Sequence, residues 1–117
     1  MMRRGEIWQV ALDPVRGSEA DKTRPAVVVS NDRANATAYR LGRGVVTVVP
    51  VTRNVENVYP FQVALAADPD NGLPVDSKAQ AEQVRSVAVQ RLSRRIGRIS
   101  PDEGRLLDDA LRLHLGL

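Results

Sequence analysis

The 117-residue chain contains no cysteine. That excludes a disulfide framework, a thiolate metal site and a cysteine nucleophile. Its single histidine, His114, rules out a multi-histidine metal centre. Only four residues are aromatic, Trp8, Tyr39, Tyr59 and Phe61, fewer than a peptide-binding aromatic groove usually shows. The apolar runs, such as AVVV (26–29) and VVPV (48–51), are far shorter than the ~20 residues a membrane helix needs. The opening MMRRGEIW has no apolar h-region, which predicts no secretory signal and a cytoplasmic protein. No acidic cluster has metal-ligand spacing, and repeats and low-complexity tracts are missing. One domain over residues 1–117 is therefore expected, long enough to bury a core without staples.

What the chain does have is arginine. Seventeen basic residues against fourteen acidic give a net charge of +3 and a pI near 9.9. Fifteen of the seventeen are Arg, the side chain suited to forked phosphate contacts. Residues 1–99 hold fifteen basic and ten acidic residues, a balance of +5, whereas residues 100–117 hold two and four, a balance of −2. The surplus sits on the body, not the tail. Such a field suits a polyanionic partner, although many soluble domains carry +3 without one.

Alternation in GEIWQVALD (5–13) predicts a first strand, with a polar loop holding Pro14 and Gly17 behind it. PAVVVSN (25–31) reads as a second strand opened by its proline, followed by loop or short-helix chemistry over 31–40. GVVTVVPVT (44–52) is a third strand, and its inner Pro50 predicts a sheet edge or a bulge. YPFQVALAA (59–67) makes a fourth, with dense turn residues over 68–76. Residues 77 to about 84 are expected as a strand despite helix-forming Ala, Gln and Glu, and IGRIS (96–100) as a short last one. Ser100-Pro101-Asp102-Glu103 is a capping box with proline at the first helical position. Behind it Leu106, Leu107, Ala110, Leu111, Leu113 and Leu117 give a broad apolar face. Short strands closed by one terminal helix describe a mainly β fold, a strongly bent sheet or half-barrel.

The chemistry must come from strand ends, where the sheet holds the backbone and side chains reach solvent. Ser18, Glu19 and Arg24 lie on the second strand's approach, Thr52 ends the third, and Glu82, Gln83 and Arg85 cluster in AEQVRS. Arginine, hydroxyl and carboxylate suffice for one reaction in particular. RNA carries its own nucleophile, the 2′-OH, beside the scissile phosphate. An arginine fork and a threonine donor stabilise charge on the phosphorane oxygens. Arginine is a poor proton acceptor, so Glu19 or Glu82 is the more natural base, and that role stays open. Each residue also has a plainer reading. Arg24 suits a solvated flank, Thr52 a turn, and Glu82 with Arg85 an exposed ion pair. Tyr59 and Phe61 fit either base stacking or the core, and His114 reads as structural.

Four segments in order, RRGEIWQVALDPVRGSEADKTRPAVVVSND, VVTVVPVTRN, YPFQVAL and KAQAEQVRSV, closely resemble the MazF/PemK family of toxin endoribonucleases from type II toxin–antitoxin modules. The resemblance implies a small SH3-like barrel (MazF/CcdB-type) with a C-terminal helix, working as a homodimer. It implies sequence-specific, metal- and cofactor-independent cutting of single-stranded RNA to a 2′,3′-cyclic phosphate and a 5′-hydroxyl. It puts Arg24 of TRP and Thr52 of PVT in the catalytic positions. Glu19 falls where a family acid is implicated, and Glu82-Gln83 where a second acid and an RNA-contacting glutamine stand. Within the same segments Ser18, Asn31, Tyr59, Phe61, Lys78 and Arg85 complete the candidate RNA-binding set. Some relatives carry histidine in place of Ser18, so a histidine acid or base at that position does not operate here. The implied partner is a MazE-like antitoxin whose acidic, largely disordered C-terminal segment lies along the basic groove.

Two other functions compete. CcdB-like gyrase poisons share the barrel and use C-terminal residues including a tryptophan, but this chain ends in LRLHLGL and its one tryptophan is Trp8. A non-catalytic SH3-like binding module predicts no turnover.

Overall fold

The valine-rich segments occupy the middle of a sheet because they are apolar on both faces. The computed structural model describes residues 1–12 and 23–117, so Ser18, Glu19 and the loop carrying Pro14 and Gly17 lie outside the described residues. Among the described residues seven strands follow: β1 (Glu6–Ala11), β2 (Thr23–Val28), β3 (Val45–Thr52), β4 (Gln62–Leu65), β5 (Ser77–Gln80), β6 (Arg85–Ala88) and β7 (Leu92–Arg98). Helix α1 (Asp32–Leu41) separates β2 from β3, and helix α2 (Pro101–Leu115) ends the fold. All pairings are antiparallel, in the order β4-β5-β3-β2-β1-β7, with β6 also paired to β3.

Alternate residues of the central strands feed two cores. Ile7, Val27, Val49, Val51, Val63 and Leu65 pack beneath Leu107 and Ala110 of α2. Val10, Ala26, Val28, Val46 and Val48 pack on the other face with Ala38 of α1. Full burial of each such side chain contributes roughly 1.5–3 kcal/mol. Several expectations shift. Helix α1 is a complete three-turn element, because the Asn31 side chain accepts from Ala34 N at 2.8 Å and Gly42 ends it in the left-handed region. The strand expected over 77–84 stops at Gln80 as β5, a 3-10 turn at Ala81–Gln83 follows, and β6 begins beyond it at Arg85.

Pro50 lies on an inner strand, not an edge. On one side β3 pairs with β2, including Ala26 opposite Pro50; on the other, Val45–Val48 pair with β6 and Val51–Thr52 with β5. The proline therefore stands beside the break between two partners, where a missing N–H costs least. The capping box forms as read, Ser100 Oγ accepting from Glu103 N at 3.1 Å and Glu103 Oε1 from Ser100 N at 2.8 Å. Its broad apolar face divides, however. Leu107, Ala110 and Leu111 meet the sheet, while Leu106 and Leu113 are exposed on another side of the helix and Leu117 is exposed beyond its Gly116 cap.

The barrel expectation holds as an architecture, but the sheet is not closed: β4 and β7 are its two ends. The 66–76 connection crosses that opening, with Arg98 N donating to Asp70 O at 3.0 Å. Buried Asn71 shapes it, Oδ1 accepting from Asp68 N and Leu73 N while Nδ2 donates to Ala66 O. Two glycines permit the approach. A Cβ on Gly97 would stand 2.4 Å from Asp70 O, and one on Gly72, at φ +68, 2.4 Å from Ile96 O.

Candidate active site

Where β2 begins and β3 ends, the sheet opens into a cleft of about 520 Å³. Arg24 and Thr52, singled out from sequence, both line it. β2 starts at Thr23, two residues earlier than expected, so Arg24 is part of the ladder opposite Val10 and Pro25 is opposite Gln9. Pairing of β2 with β3 begins only at Ala26, which is why a proline is tolerated at the third strand position. Arg24 is thus held through its backbone, with its side chain at the strand mouth.

Thr52, the last residue of β3, is opposite Lys78. Its Oγ1 accepts from Asn54 N at 3.2 Å. That is the turn contact of the plainer reading, yet a hydroxyl that accepts still has its own proton to donate. Arg53 follows it into the cleft, Arg94 enters from β7, and Leu73 and Ile96 supply apolar surface. Ion pairs among the described residues join Arg4 to Asp108, Arg95 to Glu6, Arg105 to Asp102 and Arg112 to Asp109. None uses Arg24, Arg53 or Arg94, and no described carboxylate lines the cleft. Three arginines border this cleft, Arg24 leaving the sheet on the face of Val10 and Arg94 on the face of Gln9, and their combined positive charge favours an anion at these strand ends.

The remaining predicted residues divide. Tyr59 and Phe61 precede β4 and stack with centroids 5.5 Å apart and planes at 10°. Lys78 Nζ lies 5.7 Å from the Tyr59 ring centre and donates to Asn57 O at 2.5 Å. Glu82 Oε2 accepts from Gln62 Nε2 at 2.7 Å, and Gln62 Oε1 accepts from Tyr59 N at 3.2 Å. The other oxygen of Glu82 is buried without a partner among the described residues. These groups form a second cluster, linked to the cleft through the Thr52–Lys78 pair. Gln83 and Arg85 are exposed on the 3-10 turn and at the start of β6; Glu82 and Arg85 make no ion pair. Asn31 lies beyond the far end of β2, capping α1.

Gln9, Arg53, Ser77 and Arg94 were not anticipated in the cleft. Arg53 adjoins Thr52 and needed only its neighbour. Arg94 was hidden because the last strand was expected from residue 96, whereas β7 starts at Leu92 and pairs Arg94 with Gln9. Among the described residues no three His, Cys, Asp or Glu side chains gather as a metal-binding group.

An open antiparallel sheet under a C-terminal helix is the fold shared with solved MazF toxins. An endoribonuclease from a mycobacterial species, solved with its cognate antitoxin, superposes with a TM-score of 0.76 at 22% identity, covering 100% of this chain and 97% of that one. MazF from Deinococcus radiodurans gives 0.74 at 26% identity, covering 99% and 97%. The chain belongs to the family described as PemK-like, MazF-like toxins of type II toxin–antitoxin systems, whose model matches residues 3–115. It is 71% identical over 117 residues to endoribonuclease MazF9 of Mycobacterium tuberculosis, covering 100% of this chain and 98% of the relative.

Proposed function

We propose that the protein is the toxin of a type II toxin–antitoxin module and a sequence-specific endoribonuclease that cuts single-stranded RNA without a metal. The convergence of Arg24 and Thr52 on one cation-lined cleft carries the reading, and 71% identity to a protein named endoribonuclease supports it. In the reaction the ribose 2′-oxygen attacks the adjacent phosphorus and loses its proton to a base. The phosphorus–5′-oxygen bond breaks, and that oxygen takes up a proton. The products are a 2′,3′-cyclic phosphate and a 5′-hydroxyl. Arg24 forks the non-bridging oxygens, and Thr52 Oγ1 donates to the same charge while its lone pair holds Asn54 N.

Of the two acids suggested by sequence, Glu82 is committed to Gln62 outside the cleft. That favours Glu19 as the proton acceptor. The stacked Tyr59 and Phe61, with Lys78, Glu82 and the exposed Gln83 and Arg85, form the surface on which flanking bases are read. A MazE-like antitoxin with an acidic segment competes for the same positive cleft in the cytoplasm. The exposed Leu106, Leu113 and Leu117 supply apolar surface for a homodimer. No helix is long and apolar enough to cross a membrane among the described residues.

The test is a synthetic RNA spanning a mapped cut site, compared with the same RNA carrying one 2′-deoxy sugar at the cut. The ribose form is cleaved in EDTA and the deoxy form resists; cleavage of both would mean another nucleophile and sink the mechanism.

A further inference from the structure

Arg94 and its neighbour Arg95 differ in what holds them. Arg95 Nε is 2.7 Å from Glu6 Oε2, whereas Arg94 lines the cleft and has no acid partner among the described residues. Arg94 is opposite Gln9 on β1, and Gln9 is in turn opposite Pro25 on β2. Directly opposed side chains share a face of the sheet, with Cβ atoms about 5 Å apart. Gln9 Oε1 is buried and accepts no hydrogen bond among the described residues, although buried polar atoms nearly always have a partner. An acceptor left open beside a five-donor guanidinium has an obvious occupant once that guanidinium is drawn inward. Arg94 and Arg24 stand on strands separated by β1, so their backbones are about 10 Å apart. Arg24, opposite Val10, and Arg94, opposite Gln9, also leave opposite faces of the sheet where they border the cleft, a placement that suits two neighbouring phosphates of one strand rather than one.

Resting on the endoribonuclease reading, we propose that Arg94 binds a second phosphate of the RNA, next to the one cut, and that Gln9 is its positioning residue. On binding, one Arg94 N–H goes to Gln9 Oε1 and the remaining fork faces the phosphate. This seat fixes the strand's path across β1 and β7 and sets which nucleotide lies over Arg24.

The test uses a synthetic RNA spanning a cut site mapped on a long transcript, with its cleavage-resistant 2′-deoxy form for binding. Arg94→Ala is expected to raise KM about tenfold while lowering kcat less than about threefold. The slope of log Kd against log salt should become shallower by about 0.7, the single-strand value for one lost phosphate contact. Trimming the RNA one nucleotide at a time should reach a length at which wild type and Arg94→Ala converge, marking the phosphate concerned. Gln9→Ala should lose part of the same advantage and nothing further in the Arg94→Ala background. Arg94→Gln is read by the same criteria if the alanine variant melts early. Unchanged KM and salt slope, or a loss confined to kcat, overturns the seat alone; a wild-type protein that cuts no RNA overturns the function and the seat with it.

Discussion

The Thr52–Lys78 pair joins two regions that handle their polar groups in opposite ways. In the aromatic cluster the partners are already made: Gln62 with Glu82, Lys78 with Asn57, Tyr59 on Phe61. In the cleft, Arg24, Arg53 and Arg94 are held by the strands and by Thr52's turn, not by carboxylates among the described residues. A surface whose side chains are locked to one another has low conformational freedom and suits recognition of a rigid shape. A space lined by like charges is relieved only when an anion enters, and it does its work on charge that develops during reaction. On the proposed function, the contrast assigns reading to one region and cutting to the other.

That separation can be broken by mutation. Arg24→Ala is expected to lower kcat by about 10²- to 10³-fold with an unchanged melting temperature, measured on the mapped RNA. A kcat near wild type would remove Arg24 from the chemistry and leave the cleft a binding groove. Tyr59→Ala should weaken RNA binding by about 1–3 kcal/mol, the usual worth of one stacked base, with kcat at saturation preserved. If it instead reduces kcat as far as Arg24→Ala does, the two regions are one. The smallest effect sharpens the boundary. Asn31→Ala should cost about 1 kcal/mol of stability through loss of the α1 cap and leave RNA affinity intact, measured by thermal denaturation and by binding to the 2′-deoxy probe. A selective loss of affinity would extend the RNA surface to the far end of β2.

The parts of the fold with strong local causes were readable in advance. The cap and first turn of α2, the β-branched run of β3 and the alternation of β1 each rest on a few neighbouring residues. What escaped depended on distant partners. Pro50 suggests an edge when viewed alone, and only the succession of β6 and β5 along β3 shows that an inner strand accommodates it. Leu113 and Leu117 look like core until the contacts of α2 show which stripe meets the sheet. In the site, Arg24 and Thr52 were legible because both stand at strand ends, within the short motifs TRP and PVT. Gln9 and Arg94 were not, since their meeting depends on the register between the first and last strands, which no local pattern reveals. The proposed base, Glu19, lies outside the described residues, so only the sequence bears on it.

The span from Asp68 to Leu73 bridges the ends of the sheet, and its Gly72, Leu73 and Pro74 also wall the cleft. A protein that altered its taste in RNA by lengthening or reshaping this strap would at the same time loosen the join at Gly97. Relatives diverging in target sequence are therefore expected to trade rigidity for choice at this point, and to restore it by tightening the seam elsewhere.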